Sequence, residues 1–306
     1  MKKRQIGDSD LYVTEMGLGC MSLGKDEQHA RSILETAIEQ GINYFDTADL
    51  YDFGLNEEIV GSVLKPYREN LIIATKAGNR WNEEKTSWSW DPSREYIKQA
   101  AKDSLHRLQT DYIDLYQLHG GTIDDPTEET ISAFEELKKE GYIREYGISS
   151  IRPNVIKEFT NNSDIISVMM QYSLLDRRPE EWMTLLEENQ ISIIARGPVA
   201  KGLLTEEMFN KASDSIQENG YLNYTYAELE YLLPSIKEKI KGHSMNELAF
   251  QYILASPAVA AIIPGASSTK QLLENIKAVN SNPLTNKELE LLRSLTKATK
   301  YEAHRE

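Results

Sequence analysis

Cysteine is nearly missing from this chain. Cys20 is the one thiol in 306 residues, so neither an intrachain disulfide framework nor a cysteine-based metal cluster can form. Positive charge is also scarce: 48 acidic residues stand against 34 basic ones, a formal charge of −14. Neutralising phosphates requires a basic face, so neither nucleic acid nor an anionic membrane is expected as a partner. No run approaches the ~18 apolar residues of a membrane span. The opening Met1-Lys2-Lys3-Arg4-Gln5 runs into polar sequence without the apolar core of a signal peptide, so a cytoplasmic protein is expected. No Pro/Gly/Ser-rich linker or composition break divides the chain, which predicts one domain over residues 1–306. No G-x-G-x-x-G follows the first apolar run, which argues against an open dinucleotide-binding sheet. No exposed apolar stripe stands out, and a monomer is expected.

What the chain does have is alternation. Short apolar runs fall at 16–18, 42–45, 71–74, 113–118, 143–148, 165–170, 191–195 and 259–263, separated by amphipathic stretches such as 27–40, 94–108, 128–140 and 179–189. In the third of these, Ile131, Phe134 and Leu137 recur at helical spacing with charge on the other face. Eight strands separated by helices predict an α/β fold of parallel βαβ units. Together with the length, the missing glycine motif and polar residues closing several strands, this favours a (β/α)8 TIM barrel. Residues 3–6 and 11–13 flank Gly7-Asp8-Ser9-Asp10 and predict a hairpin capping the amino-terminal mouth. Residues 284–298 predict a C-terminal helical tail, and 201–244 is the least regular stretch.

Polar residues end three consecutive strands. The second runs into Asp46-Thr47-Ala48-Asp49-Leu50-Tyr51, the third into Thr75-Lys76, and the fourth into His119. In a barrel, Asp46, Tyr51, Lys76 and His119 would converge on one mouth. Hydride transfer to a carbonyl builds negative charge on oxygen, which needs a donor that can also supply a proton. A tyrosine hydroxyl ordinarily titrates at about 10, and a neighbouring ammonium favours its phenolate. Tyr51 is therefore the expected acid, Lys76 and Asp46 its tuning pair, and His119 the group that orients the carbonyl. No metal is needed and no ligand set for one is evident.

The stretches GINYFDTADLY (41–51), Thr75-Lys76 and YQLH (116–119) closely resemble the catalytic motifs of the aldo-keto reductase superfamily. The resemblance runs over roughly residues 4–275. It is nearest to bacterial general-stress and inositol-linked reductases and to potassium-channel β-subunits. It implies an oxidoreductase that interconverts carbonyls and alcohols with a nicotinamide cofactor, NADP(H) being preferred and NAD(H) the alternative. It places Ser149 and Gln171 on the nicotinamide amide; Ser150 stands where many members have Asn. It places Arg196, Gly197, Pro198, Ala200, Lys201 and Gly202 around the ring and pyrophosphate. Gly265, Ser267, Gln271, Glu274 and Asn275 fall on the adenosine pocket, and Cys20 and Met21 lie beside the cofactor. Arg196 departs from the usual Tyr or Trp, and its charge should disfavour the oxidised ring relative to the reduced one. Trp81, Trp88 and Trp90, in the loop after Lys76, are expected either to wall an apolar carbonyl substrate or to pack the loop on itself. The rival reading is a non-catalytic NADP(H)-binding sensor or assembly subunit.

Overall fold

A computed structural model describes residues 1–305, the side chain of Lys211 excepted. Glu306, the end of the expected domain span, lies outside the described residues. The strands are β1 (Lys3–Gln5), β2 (Tyr12–Thr14), β3 (Leu18–Gly19), β4 (Tyr44–Asp46), β5 (Ile72–Ala77), β6 (Asn79–Trp81), β7 (Trp88–Trp90), β8 (Ile113–Leu118), β9 (Ile143–Ser149), β10 (Ser167–Gln171), β11 (Ser192–Arg196) and β12 (Val259–Ile263). The helices that matter below are α1 (Glu27–Glu39), α2 (Leu55–Leu64), α3 (Arg94–Leu108), α4 (Thr127–Lys139) and α5 (Pro153–Asn162). They continue with α6 (Met183–Glu188), α7 (Asp214–Asn219), α8 (Tyr226–Lys239), α9 (Met245–Leu254), α10 (Thr269–Val279) and α11 (Asn286–Leu295).

Eight strands form one parallel sheet in the order β12-β11-β10-β9-β8-β5-β4-β3. Parallel bridges Met16↔Ile262 and Gly19↔Gly265 join its two ends, so the sheet curls into the expected barrel. The pleat divides the apolar residues of each strand between two cores. Tyr44, Ile72, Leu115, Met169 and Ile194 point inward and fill the barrel. Phe45, Ile73, Tyr116, Val168 and Ile193 point outward against helix residues such as Val60, Ile97 and Phe134.

The hairpin β1–β2 plugs the amino-terminal mouth as expected. Ile6, Leu11 and Val13 complete the inner core. Gly7 donates its N–H to Ser192 Oγ at 2.9 Å, and Thr14 donates to Asn43 Oδ1 at 2.7 Å, both acceptors lying where a barrel strand begins. Gly7 has φ +54°, and a Cβ there would sit 2.6 Å from the Ile166 carbonyl oxygen, so the turn needs glycine.

Helix starts follow the sequence closely. Thr225, Ser244 and Thr285 open α8, α9 and α11, each paired with a Glu three residues on in a reciprocal capping box. Elsewhere the expectations need adjustment. The predicted helix over 179–189 is a 3-10 turn, Arg178–Glu181, followed by the short α6. Residues 79–90, expected as loop, contain the antiparallel hairpin β6–β7. The irregular 201–244 stretch holds α7 and all of α8. Among the described residues no helix is long and apolar enough to cross a membrane.

Candidate active site

Alternation along the strands assembles the site. Asp46 closes β4, and Lys76 is the register partner of Gln117 on β8. Gln171 on β10 is likewise the partner of Arg196 on β11. Each points into the barrel one layer above the apolar filling, at the carboxyl ends of the strands.

Lys76 is completely buried, and its ammonium is the hub of the layer. It donates to Asp46 Oδ1 at 2.6 Å, to the Thr47 carbonyl at 2.6 Å and to Tyr51 Oη at 3.5 Å. Gln117 donates to the other Asp46 oxygen at 3.3 Å. Burial pushes the Asp46 carboxyl up from its ordinary value, opposed by Lys76 and the Gln117 hydrogen bond. Burial alone would lower Lys76, but the Asp46 charge and Tyr51 outweigh it, so Lys76 stays above its ordinary value. The ammonium is therefore secure at neutral pH.

Tyr51 reaches the hub through a tight turn. Its N–H bonds the Ala48 carbonyl at 3.1 Å, and Asp52, Phe53 and Gly54 follow with φ of +49°, +52° and +89°. The left-handed run reverses the chain straight into α2. His119 meets the Tyr51 ring edge-on, with centroids 5.9 Å apart. Burial, then the Lys76 and Arg196 charges, lower the His119 imidazole from 6.5 to about 3. It is neutral, with one ring nitrogen a donor and the other an acceptor, and its buried Nδ1 has no partner among the described residues.

His119, Ser149 and Arg196 line one cavity of about 420 Å3 at this mouth, together with Asn79, Trp88 and Trp90. Arg196 turns toward Gln171, donating to its Oε1 at 3.2 Å, while Gln171 donates to Tyr221 Oη at 3.0 Å. In the following loop, Ala200, Lys201 and Gly202 take φ of +48°, +56° and +94°, just after Gly197 at +66° and Pro198. At the start of α10, Ser267 donates through N–H and Oγ to Gln271 Oε1 at 2.9 and 3.1 Å. Asn275 donates to the Gly265 carbonyl at 3.3 Å. Glu274 is exposed, 3.9 Å from the Lys270 ammonium. Cys20 is fully buried and its thiol is pushed far up by burial, whereas Met21 beside it is 64% exposed.

Three features were not anticipated. Gln117 braces Asp46, and period-two alternation from His119 would have found it. Arg152, just past β9, lines the same cavity, and no periodicity marks a loop residue. Trp81 separates from the other two tryptophans. It packs edge-on against Phe53 at 6.3 Å, under Arg107, and faces a different cavity on the flank of the barrel.

A model of the aldo/keto reductase family matches residues 15–297. The chain belongs to the aldo-keto reductase family. It is 60% identical over 305 residues, all of both chains, to the uncharacterized oxidoreductase YqkF of Bacillus subtilis (strain 168). It is 29% identical over 327 residues to the NADH-specific methylglyoxal reductase of Escherichia coli (strain K12), covering 97% and 99% of the two chains. The solved holo form of aldo-keto reductase AKR11C1 from Bacillus halodurans superposes with TM-score 0.95 at 57% identity over 100% of both chains. Its apo form gives 0.87 over the same coverage. The chain is thus an oxidoreductase-family barrel, and its backbone is nearer the holo form.

Proposed function

We propose that this single barrel domain reduces aldehydes or ketones to alcohols with a nicotinamide cofactor, Tyr51 donating the proton. One observation carries this reading: a wholly buried ammonium, Lys76, bonds at once to a carboxylate and to the Tyr51 hydroxyl. The residues present fit such a cofactor. Ser149 and the Gln171 amide offer the donor and acceptor that a carboxamide requires, and Arg196 borders the ring position. The left-handed loop 197–202 and the start of α10 offer backbone N–H groups for phosphates.

The nicotinamide, when bound, supplies a hydride to the carbonyl carbon. The protein's share is electrostatic and protonic. Tyr51 bonds the carbonyl oxygen and releases its proton to it as charge develops, and the Lys76 ammonium stabilises the oxygen left behind. Asp46 and the Thr47 carbonyl hold Lys76 in line, and Gln117 holds Asp46. His119, being neutral, donates one N–H to the same carbonyl oxygen without adding a second charge near Lys76.

NADPH is the preferred cofactor in this reading, with Ser267, Ser268 and Lys270 as donors to a 2′-phosphate; NADH is the alternative. The test is oxidation of NADPH and of NADH by the purified protein with 4-nitrobenzaldehyde. Turnover with NADPH dominant supports the proposal. Tight cofactor binding without turnover turns the reading to a sensor, and no binding of either nucleotide contradicts it.

A further inference from the structure

In a chain of −14 formal charge, the cavity at the catalytic mouth is lined by two arginines and by no acidic residue. Arg68, Arg107, Arg144, Arg177 and Arg178 each hold a carboxylate within 2.8 Å. Arg152 and Arg196 have no acidic partner among the described residues. Arg196 donates to the neutral Gln171 amide, and Arg152 to the Gly121 carbonyl. Arg152 is half-buried and Arg196 exposed, and guanidiniums facing a cavity lined by no counter-charge leave an electrostatic demand that a ligand can meet.

The position of Arg152 is built in. It precedes Pro153, the first residue of α5, which restricts it to extended backbone, φ −86° and ψ +121°. Its bond to Gly121 then ties it to the loop after His119. Another part of the lining is equally fixed. Trp90 donates Nε1–H to Asp125 Oδ1 at 2.8 Å. Its ring packs so tightly on Gly78 and Gly120 that a Cβ at either would meet it at 2.6 and 3.0 Å. The cavity that His119 and Arg152 both line is therefore held between fixed loops.

We propose that the substrate is a carbonyl compound carrying a carboxylate, bound with its carbonyl at Tyr51 and His119 and its carboxylate on Arg152. Arg196 adds a second positive charge to the same cavity. The expected apolar substrate is thereby replaced by an anionic one with a planar or short apolar middle. This inference rests on the carbonyl-reductase reading above and adds Arg152 as a specificity-determining residue.

The test compares 4-carboxybenzaldehyde with its methyl ester, which has similar shape but no charge. The ester group activates the aldehyde more than the carboxylate does, so a preference for the acid reports binding. The wild type should favour the acid in kcat/KM by about tenfold or more, the worth of one charge-assisted hydrogen bond. Arg152→Gln should collapse that ratio through KM, and Arg152→Lys should retain part of it. Benzoate should inhibit more tightly than benzamide by a similar factor, which tests the wild type without any variant. Equal constants for acid and ester, or equal inhibition by benzoate and benzamide, overturn the proposal and leave the reductase reading standing. Turnover of neither aldehyde overturns both.

Discussion

Strand β5 stands between two buried ion pairs. Lys76 faces the barrel lumen and pairs with Asp46; Thr75, the preceding residue, faces outward and donates to Glu57 Oε1 at 2.5 Å, whose other oxygen takes Arg107 Nε at 2.7 Å. The outer pair is closed. Glu57 spends both oxygens inside the protein, Ser104 accepts from Arg107, and Trp81 covers the guanidinium at 5.3 Å. The inner pair is open. Lys76 keeps a long contact of 3.5 Å to Tyr51, whose ring meets that of His119 on the cavity wall. A buried pair whose carboxylate is fully used inside the protein joins α2, α3 and β5, while one with a loosely held third partner can do chemistry.

Breaking the inner pair should have the largest effect. Lys76→Met removes the charge beside Tyr51 and strands Asp46, and should lower kcat by about a hundredfold to ten-thousandfold, read in steady-state kinetics. Breaking the outer pair should act on stability instead. Glu57→Gln leaves Arg107 buried without its counter-charge and should cost about 3–5 kcal/mol in urea unfolding. Its turnover per folded molecule should stay within a few-fold of wild type; a collapse of kcat there would dissolve the distinction.

The two sides also predict opposite dependence of stability on pH. His119 titrates near 3 when folded against an ordinary 6.5, so the unfolded state binds more protons between those values. That contribution makes stability rise with pH across the window. Asp49, on the outer side, is pushed from 3.8 to about 8 by burial and then by the Glu57 charge. Its folded form binds the extra proton, so its contribution is full below 3.8 and is lost as pH rises towards 8. Asp49→Asn should remove the downward slope, measured by denaturation at several pH values; an unchanged slope would count against it. The smallest expected change is at Arg196. Arg196→Trp should raise the affinity for oxidised cofactor relative to reduced by a few-fold, because a cation beside the cationic ring is lost. An unchanged ratio would show that Arg196 does not border the ring.

Much of this contrast was readable in the sequence, and the unreadable part has a physical reason. The apolar runs located the barrel strands, and the residues closing them, Asp46, Lys76 and His119, meet as expected. The first strand pairs less regularly than its apolar run 16–18 suggests, since Met16 bridges Ile262 while Leu18–Gly19 pairs with β4. Gln117 was missed although alternation puts it on the same face as His119, two residues before it. Arg152 and the split between Trp81 and the pair Trp88 and Trp90 depend on where loops land after the barrel closes. No local pattern encodes that.

The most direct measurement is Tyr51→Phe, assayed for aldehyde reduction beside nicotinamide-cofactor affinity. Only the hydroxyl is lost, so the Lys76–Asp46 pair keeps its place. The account predicts cofactor affinity near wild type with turnover reduced by about a hundredfold or more. Wild-type turnover in Tyr51→Phe would contradict the claim that the buried ammonium is there to work through that hydroxyl.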